Sequence, residues 1–135
     1  QVEFYAFFPP YSILSHASAR TRDPREFQHM QQFKMLCASK LLHYANCRLF
    51  DFQAAAHITH NLDNYTDLNH YAKWVNDWIL EALFETRFRL THENYADKIR
   101  SLQKQVEAFT IPVTACSQIV HTDEAVEAGL PLWTQ

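Results

Sequence analysis

The chain has 135 residues, the length of one domain, and at 47% hydrophobic and 14% aromatic it carries enough apolar surface to bury a core. A net charge of −3, with 12 basic and 15 acidic residues, leaves no basic footprint for nucleic acid and no polybasic membrane patch. The three cysteines, Cys37, Cys47 and Cys116, lack paired spacing and are odd in number, which excludes both a disulfide framework and a zinc module, and no apolar run reaches the roughly 18–20 residues that span a bilayer.

Val2 to Phe8 is short, aromatic and almost continuously apolar, the pattern of a strand buried on both faces. Pro9 and Pro10 end it, because proline cannot donate to a ladder. Tyr11 and Ser12 then lie just past the carboxyl end of that strand, where open α/β sheets line their ligand crevices. Ser15 to Arg22 is polar and reads as a loop. Asp23-Pro24-Arg25-Glu26 starts a helix, with Asp23 as N-cap and Pro24 at the first position. This helix is expected to run to about Tyr44. Phe27, Met30, Lys34, Cys37, Leu41 and Tyr44 follow one face, broadened by Phe33, Leu36 and Leu42.

Cys47 to Phe52 reads as a second strand, parallel to the first because a long helix separates the two. Gln53 to Asn69 reads as a loop with one helical turn near Ala54–Ala56. Tyr71 to about Glu85 is a helix with a wide apolar face of Trp74, Val75, Trp78, Ile79, Ala82 and Leu83. Thr91 is expected to cap a last helix carrying Tyr95, Ile99, Leu102, Val106 and Phe109, which Pro112 stops. Residues 111–135 have no clear period; Ile119-Val120 is a candidate short strand there. The chain holds a single glycine, Gly129. Glycines serve tight strand-to-helix turns and oxyanion loops in α/β enzymes, so their scarcity points to a truncated domain.

The chemistry concentrates in Asn61 to Tyr71, which contains Asp67-x-x-His70. A turn at that spacing lets the carboxylate hold one imidazole nitrogen while the other faces a nucleophile, the acid–base arm of a Ser–His–Asp triad. The alternative is an ordinary polar turn. A metal reading competes as well: His57, His60, Asp63, Asp67 and His70 offer nitrogen and oxygen ligands, but no HExxH or cysteine pair supports it, and neither metal nor cofactor is expected. Trp74 and Trp78, with Tyr5, Phe7 and Phe8, have the spacing of core residues before that of a sugar-stacking platform. Arg87, Arg89 and Arg100 are scattered and read as solvated surface.

The run Phe4-Tyr5-Ala6-Phe7-Phe8-Pro9-Pro10-Tyr11-Ser12, then Asp51-Phe52, the string from Asn61 to Tyr71, Asn76-Asp77-Trp78-Ile79 and Arg89-Leu90-Thr91-x-Glu93-Asn94-Tyr95 together resemble the C-terminal half of SGNH (GDSL) hydrolase-like proteins. The likeness is greatest to the bacterial branch associated with cell-surface acyl-group chemistry, and it covers about residues 2–109. It implies a partial SGNH-like (flavodoxin-like) three-layer α/β domain over residues 1–110. Such a domain has a short parallel sheet, flanking helices and a helix-rich C-terminal half; residues 111–135 follow as an extension. It further implies that Asp67 and His70 are triad members, with Tyr11, Ser12 and Asn69 beside an acyl-ester or glycan substrate, in a bacterial parent that is extracytoplasmic or membrane-associated.

The family's nucleophile sits in a Gly-Asp-Ser-like motif ahead of the region this chain resembles, and no such motif is present. Pro9-Pro10-Tyr11-Ser12 is not that motif. The chain alone is therefore expected to be an inactive part of a serine esterase or acyltransferase. The competing expectation is a non-catalytic domain that forms a homodimer through an exposed sheet edge.

Overall fold

The structure, a computed structural model, describes residues 2–112. Its sheet has three strands in the order β1 (Phe4–Phe8), β2 (Cys47–Asp51), β3 (Arg89–Leu90). β1 and β2 run parallel, with Phe4 opposite Cys47 and Phe8 opposite Asp51. β3 runs antiparallel to β2, with Leu49 opposite Leu90. The sheet is thus mixed rather than wholly parallel. The antiparallel strand is two residues long, too short to show a period in the sequence. The Ile119-Val120 candidate lies outside the described residues.

Among the described residues five helices flank the sheet: α1 (Ile13–Arg22), α2 (Pro24–Leu41), α3 (Ala56–Thr59), α4 (Lys73–Ala82) and α5 (Tyr95–Ala108). Strand alternation sorts the faces. Phe50 and Phe52 point to one side, where they bury against Val75, Ile79 and Ala82 of α4 together with Ile58 and Phe88. Leu49 points to the other side and packs with Leu90, Ala38 of α2 and Ile99 of α5. A third cluster, Ile13, Ala17, Phe27, Leu102 and Val106, joins α1 to α2 and α5. Helices therefore cover both faces of the sheet. No helix of the described residues is long and apolar enough to cross a membrane.

Several local expectations are corrected. The segment expected to be a polar loop at Ser15–Arg22 belongs to α1. Ser12 caps that helix by accepting from the Ser15 N–H, and Ala17 and Ala19 are buried, Ala17 against side chains far away in sequence. α2 starts as expected, with Asp23 accepting from the Arg25 N–H, but it ends at Leu41. Phe33, Leu36 and Tyr44 of its expected apolar face are exposed; the buried residues are Phe27, Lys34 and Ala38. α4 starts two residues later than expected and stops at Ala82, and Trp74 at its start is exposed. Asn94, rather than Thr91, occupies the cap position of α5, and its side-chain oxygen accepts from the Thr91 N–H at 2.9 Å.

β1 is not buried on both faces. It is an edge strand, with Phe4 58%, Tyr5 39% and Phe7 40% exposed. Tyr5 stacks on Phe50 and Phe7 meets Phe52 edge-on, so these rings extend the aromatic face of β2 beyond the cover of α4.

The polar centre of the fold is a buried ion pair. Lys34 of α2 reaches the carboxyl end of β2, where its Nζ lies 2.7 Å from Asp51 Oδ2 and donates to Gln53 Oε1 at 2.8 Å. Asp51 Oδ1 accepts from the Gln53 N–H at 3.0 Å, and the Lys34 ammonium sits over the Phe8 ring at 5.1 Å. Burial pulls the Lys34 ammonium below the usual lysine range, against the opposing pull of Asp51. Removing one partner strands a buried charge, whereas replacing both with apolar groups removes two desolvation costs together. Lys34→Met or Asp51→Leu alone should cost about 3–5 kcal/mol in chemical denaturation. The double variant should recover most of that loss; a double variant as unstable as the sum of the singles would contradict the pairing.

Candidate active site

The stretch from Asn61 to Tyr71 leaves the carboxyl-end side of the sheet and folds on itself before α4. A 3-10 turn, Leu62–Asn64, opens it. Asn64 is buried, donates through Nδ2 to the Ile58 carbonyl at 2.9 Å and accepts the Ala72 N–H on its own carbonyl at 2.7 Å. An isolated antiparallel bridge joins Tyr65 to Tyr71, and the Thr66 N–H donates to the His70 carbonyl at 2.8 Å. Residues 66–70 are thereby drawn into a closed loop.

Asp67 organises the inside of that loop. Its Oδ1 accepts the N–H groups of Asn69 and His70, each at 2.8 Å, and its Oδ2 lies 2.6 Å from His70 Nδ1. An aspartate accepting from the backbone two and three residues on is a local turn-former, and here the turn delivers its second oxygen to the imidazole. Burial tends to raise the Asp67 carboxyl, but the Asn69 and His70 N–H groups and the His70 ring outweigh it and hold the carboxyl below its usual range. The pair is open to solvent, with side chains 50% (Asp67) and 70% (His70) exposed. Among the described residues no group hydrogen-bonds His70 Nε2. The far nitrogen of an oriented imidazole is thus presented outward.

The loop is clamped to the β1–α1 junction. Ser12 donates its hydroxyl to the Leu68 carbonyl at 2.6 Å, and its backbone N–H reaches the same oxygen at 3.3 Å. Ser15 donates its hydroxyl to Asn69 Oδ1 at 2.7 Å. The Tyr65 phenol donates to the Pro10 carbonyl at 2.6 Å, and burial pushes it above the usual phenol range. The structure therefore brings Tyr11, Ser12, Asn69, Asp67 and His70 into one neighbourhood. Within it Ser12 acts internally. The serine is 1% exposed, caps α1 and holds the loop, and its hydroxyl is not presented outward. Asn69 is exposed, its Oδ1 accepts from Ser15, and among the described residues no group accepts from its Nδ2. Tyr11 is half-buried, its ring 6.3 Å from that of His16. Burial, helped by Tyr11, raises the Tyr71 phenol above its usual range.

Sequence reasoning singles out neither Asn64 and Tyr65 nor Ser15 as site-building residues. Asn64 and Tyr65 stand inside the string that carries the resemblance. Ser15 gives no signal, because its segment reads as a polar loop. The candidate metal ligands do not assemble. His57 packs edge-on against Trp78, His60 packs against Phe109, and no three His, Cys, Asp or Glu side chains among the described residues come together around a cation position.

No protein-family model, no curated protein and no solved structure matches this chain.

Under the clamp lies His16, on the α1 turn next to Ser12 and Ser15. It is 1% exposed, neither ring nitrogen has a hydrogen-bond partner among the described residues, and it sits between Tyr11 and Phe27 with the Lys34 charge nearby. Burial, reinforced by Lys34, pulls its imidazole down to about 4. The unfolded chain therefore binds a proton that the folded chain refuses between about pH 6.5 and pH 4. Stability from this residue is complete above that window and falls as pH drops through it, by at most about 1.4 kcal/mol per pH unit. His16→Phe should flatten the stability–pH curve across the window in urea titrations; an unchanged slope would contradict this.

Proposed function

We propose that Asp67 and His70 form the acid–base arm of a serine-dependent acyl-ester hydrolase or acyltransferase. The domain would be SGNH-like and flavodoxin-like, and its substrate an acyl ester, such as one on a cell-surface glycan. The observation that carries this reading is the 2.6 Å contact between His70 Nδ1 and Asp67 Oδ2, combined with an outward Nε2. Serine needs a neighbouring imidazole to take its proton, and the carboxylate fixes the ring and stabilises the imidazolium that forms. His70 Nε2 is then the general base and Asp67 its orienting partner. Asn69 Nδ2 can donate to the substrate, and Tyr11 lines the approach. Ser12 and Ser15 serve as positioning residues for the loop. The nucleophile belongs to a segment outside residues 1–135.

Two linked tests bear on this. The coding sequence upstream of Gln1 should contain a Gly-Asp-Ser-like motif. In the protein carrying it, His70→Ala should lower kcat on a short-chain nitrophenyl ester by about 10³-fold or more, and Asp67→Asn by about 10²–10⁴-fold. An upstream region without such a serine, or activity unchanged by His70→Ala, overturns the reading.

A second, non-catalytic reading is favoured by β1. Its five residues include no charge and no proline, the devices that normally block edge pairing. The Phe4 N–H and the Phe8 carbonyl bond toward β2, so by alternation the backbone groups of Tyr5 and Phe7 face the open edge. A second copy related by a two-fold axis would pair there and cover the exposed rings. Sedimentation should then show a dimer that Tyr5→Pro dissociates, and a strictly monomeric chain would contradict it.

A further inference from the structure

Beside the ion pair, on the β3 side of Asp51, lies a cavity of about 150 Å³ walled by Asp51, Ala54, Arg87, Phe88, Lys98 and Ser101. Small-molecule sites start at about 300 Å³, so this one suits a single compact group. Its charges do not balance. Asp51 is paired with Lys34 at 2.7 Å, and Arg87 and Lys98 are the cations of the wall. No ion pair joins either of them to an acid among the described residues. The exposed Arg87 guanidinium lies over the Phe88 ring at 5.1 Å, at the rim of the cavity. Lys98 is half-buried and donates to the Arg87 carbonyl. Burial disfavours its charged form, and Arg87 adds to that effect against the opposing pull of Asp51. Lys98 and Ser101 stand three residues apart on α5 and so share a face. Ser101 Oγ accepts from Gln105 Nε2 at 3.5 Å, leaving its O–H to donate.

Two cations without an ion-pair partner among the described residues and a hydroxyl donor around a compact, partly apolar cavity match a small tetrahedral oxyanion. We propose that Arg87, Lys98 and Ser101 form a binding site for a phosphate group, independent of the Asp67–His70 reading. A phosphate dianion would balance the two cations, accept from Ser101 and leave the Lys34–Asp51 pair undisturbed behind it.

The test is a proton–nitrogen NMR titration of the chain with inorganic phosphate at constant ionic strength, with chloride as the reference salt. Saturable shifts centred on Arg87, Phe88, Lys98 and Ser101 are expected. Arg87→Gln and Lys98→Gln should each weaken binding at least about tenfold, while Lys98→Arg retains it. Arg100→Gln, which removes a guanidinium paired with Asp97 at 2.7 Å, should leave binding unchanged. A parallel titration with glycerol phosphate separates sources: comparable or tighter binding assigns the site to a phosphate on a larger molecule, and exclusion assigns it to the free ion. Shifts that fail to saturate and spread over the surface, or wild-type affinity in both glutamine variants, would overturn the proposal.

Discussion

The buried Lys34–Asp51 pair is the constraint on which the rest of the molecule rests. A carboxylate at the end of a central strand, removed from water, requires a counter-charge. Lys34 supplies it from α2, whose middle turn reaches the carboxyl end of β2. That placement sets Phe8 under the ammonium, puts Gln53 in range of both charges, and brings Ala38 down onto Leu49 and Leu90. α2 in turn provides Phe27, against which α1 packs with Ile13 and Ala17. The polar centre and the apolar layers are thus satisfied by the same docking of the helices.

From α1 the constraint passes to the site. The helix starts shortly after Pro9 and Pro10, and its first turn holds the loop that carries Asp67 and His70. The bonds Ser12–Leu68, Ser15–Asn69 and Tyr65–Pro10 cross between segments more than 50 residues apart. Each is worth about 0.5–1.5 kcal/mol in a typical folded protein, enough together to hold a loop that buries little apolar surface of its own. The exposed Asp67–His70 contact is weak as a stabilising interaction. Its value lies in orientation, which the scaffold beneath it supplies. His16 couples the two levels, since it occupies the same helix turn as the clamp and lies near the Lys34 charge.

Much of this is legible in the sequence where local signals agree. β1, β2 and the start of α2 follow from aromatic runs, prolines and the Asp23-Pro24 cap, and the Asp67–His70 contact is one that its spacing permits. Legibility ends where tertiary contacts decide. After Ile13 and Leu14, α1 carries small, polar and basic side chains that show no strong apolar face, so its packing on α2 and α5 reveals it as a helix. Phe33 and Leu36 fit a helical stripe yet face outward, because the docking face turns on Lys34 and Ala38. The position of Lys34 on the inward face is readable, whereas its partner Asp51 is not, since pairing across layers leaves no trace in spacing. The clamps on the candidate site are hidden for the same reason: Ser15 and Leu68 are distant in sequence from their partners, and Leu68 takes part through its backbone carbonyl. The acid–base role proposed for the pair is compatible with this geometry, and the geometry does not depend on it.

Function, on this reading, turns on an imidazole whose proton is placed by Asp67. The most direct measurement is the nitrogen-15 NMR spectrum of the His70 side chain near neutral pH, in the chain and in Asp67→Asn. In the neutral form of the ring, one tautomer is expected, with the hydrogen on Nδ1 and Nε2 bare, shifting toward mixed tautomers in the variant. A His70 ring that already averages between tautomers as a free imidazole does, and is unaltered by Asp67→Asn, would contradict it.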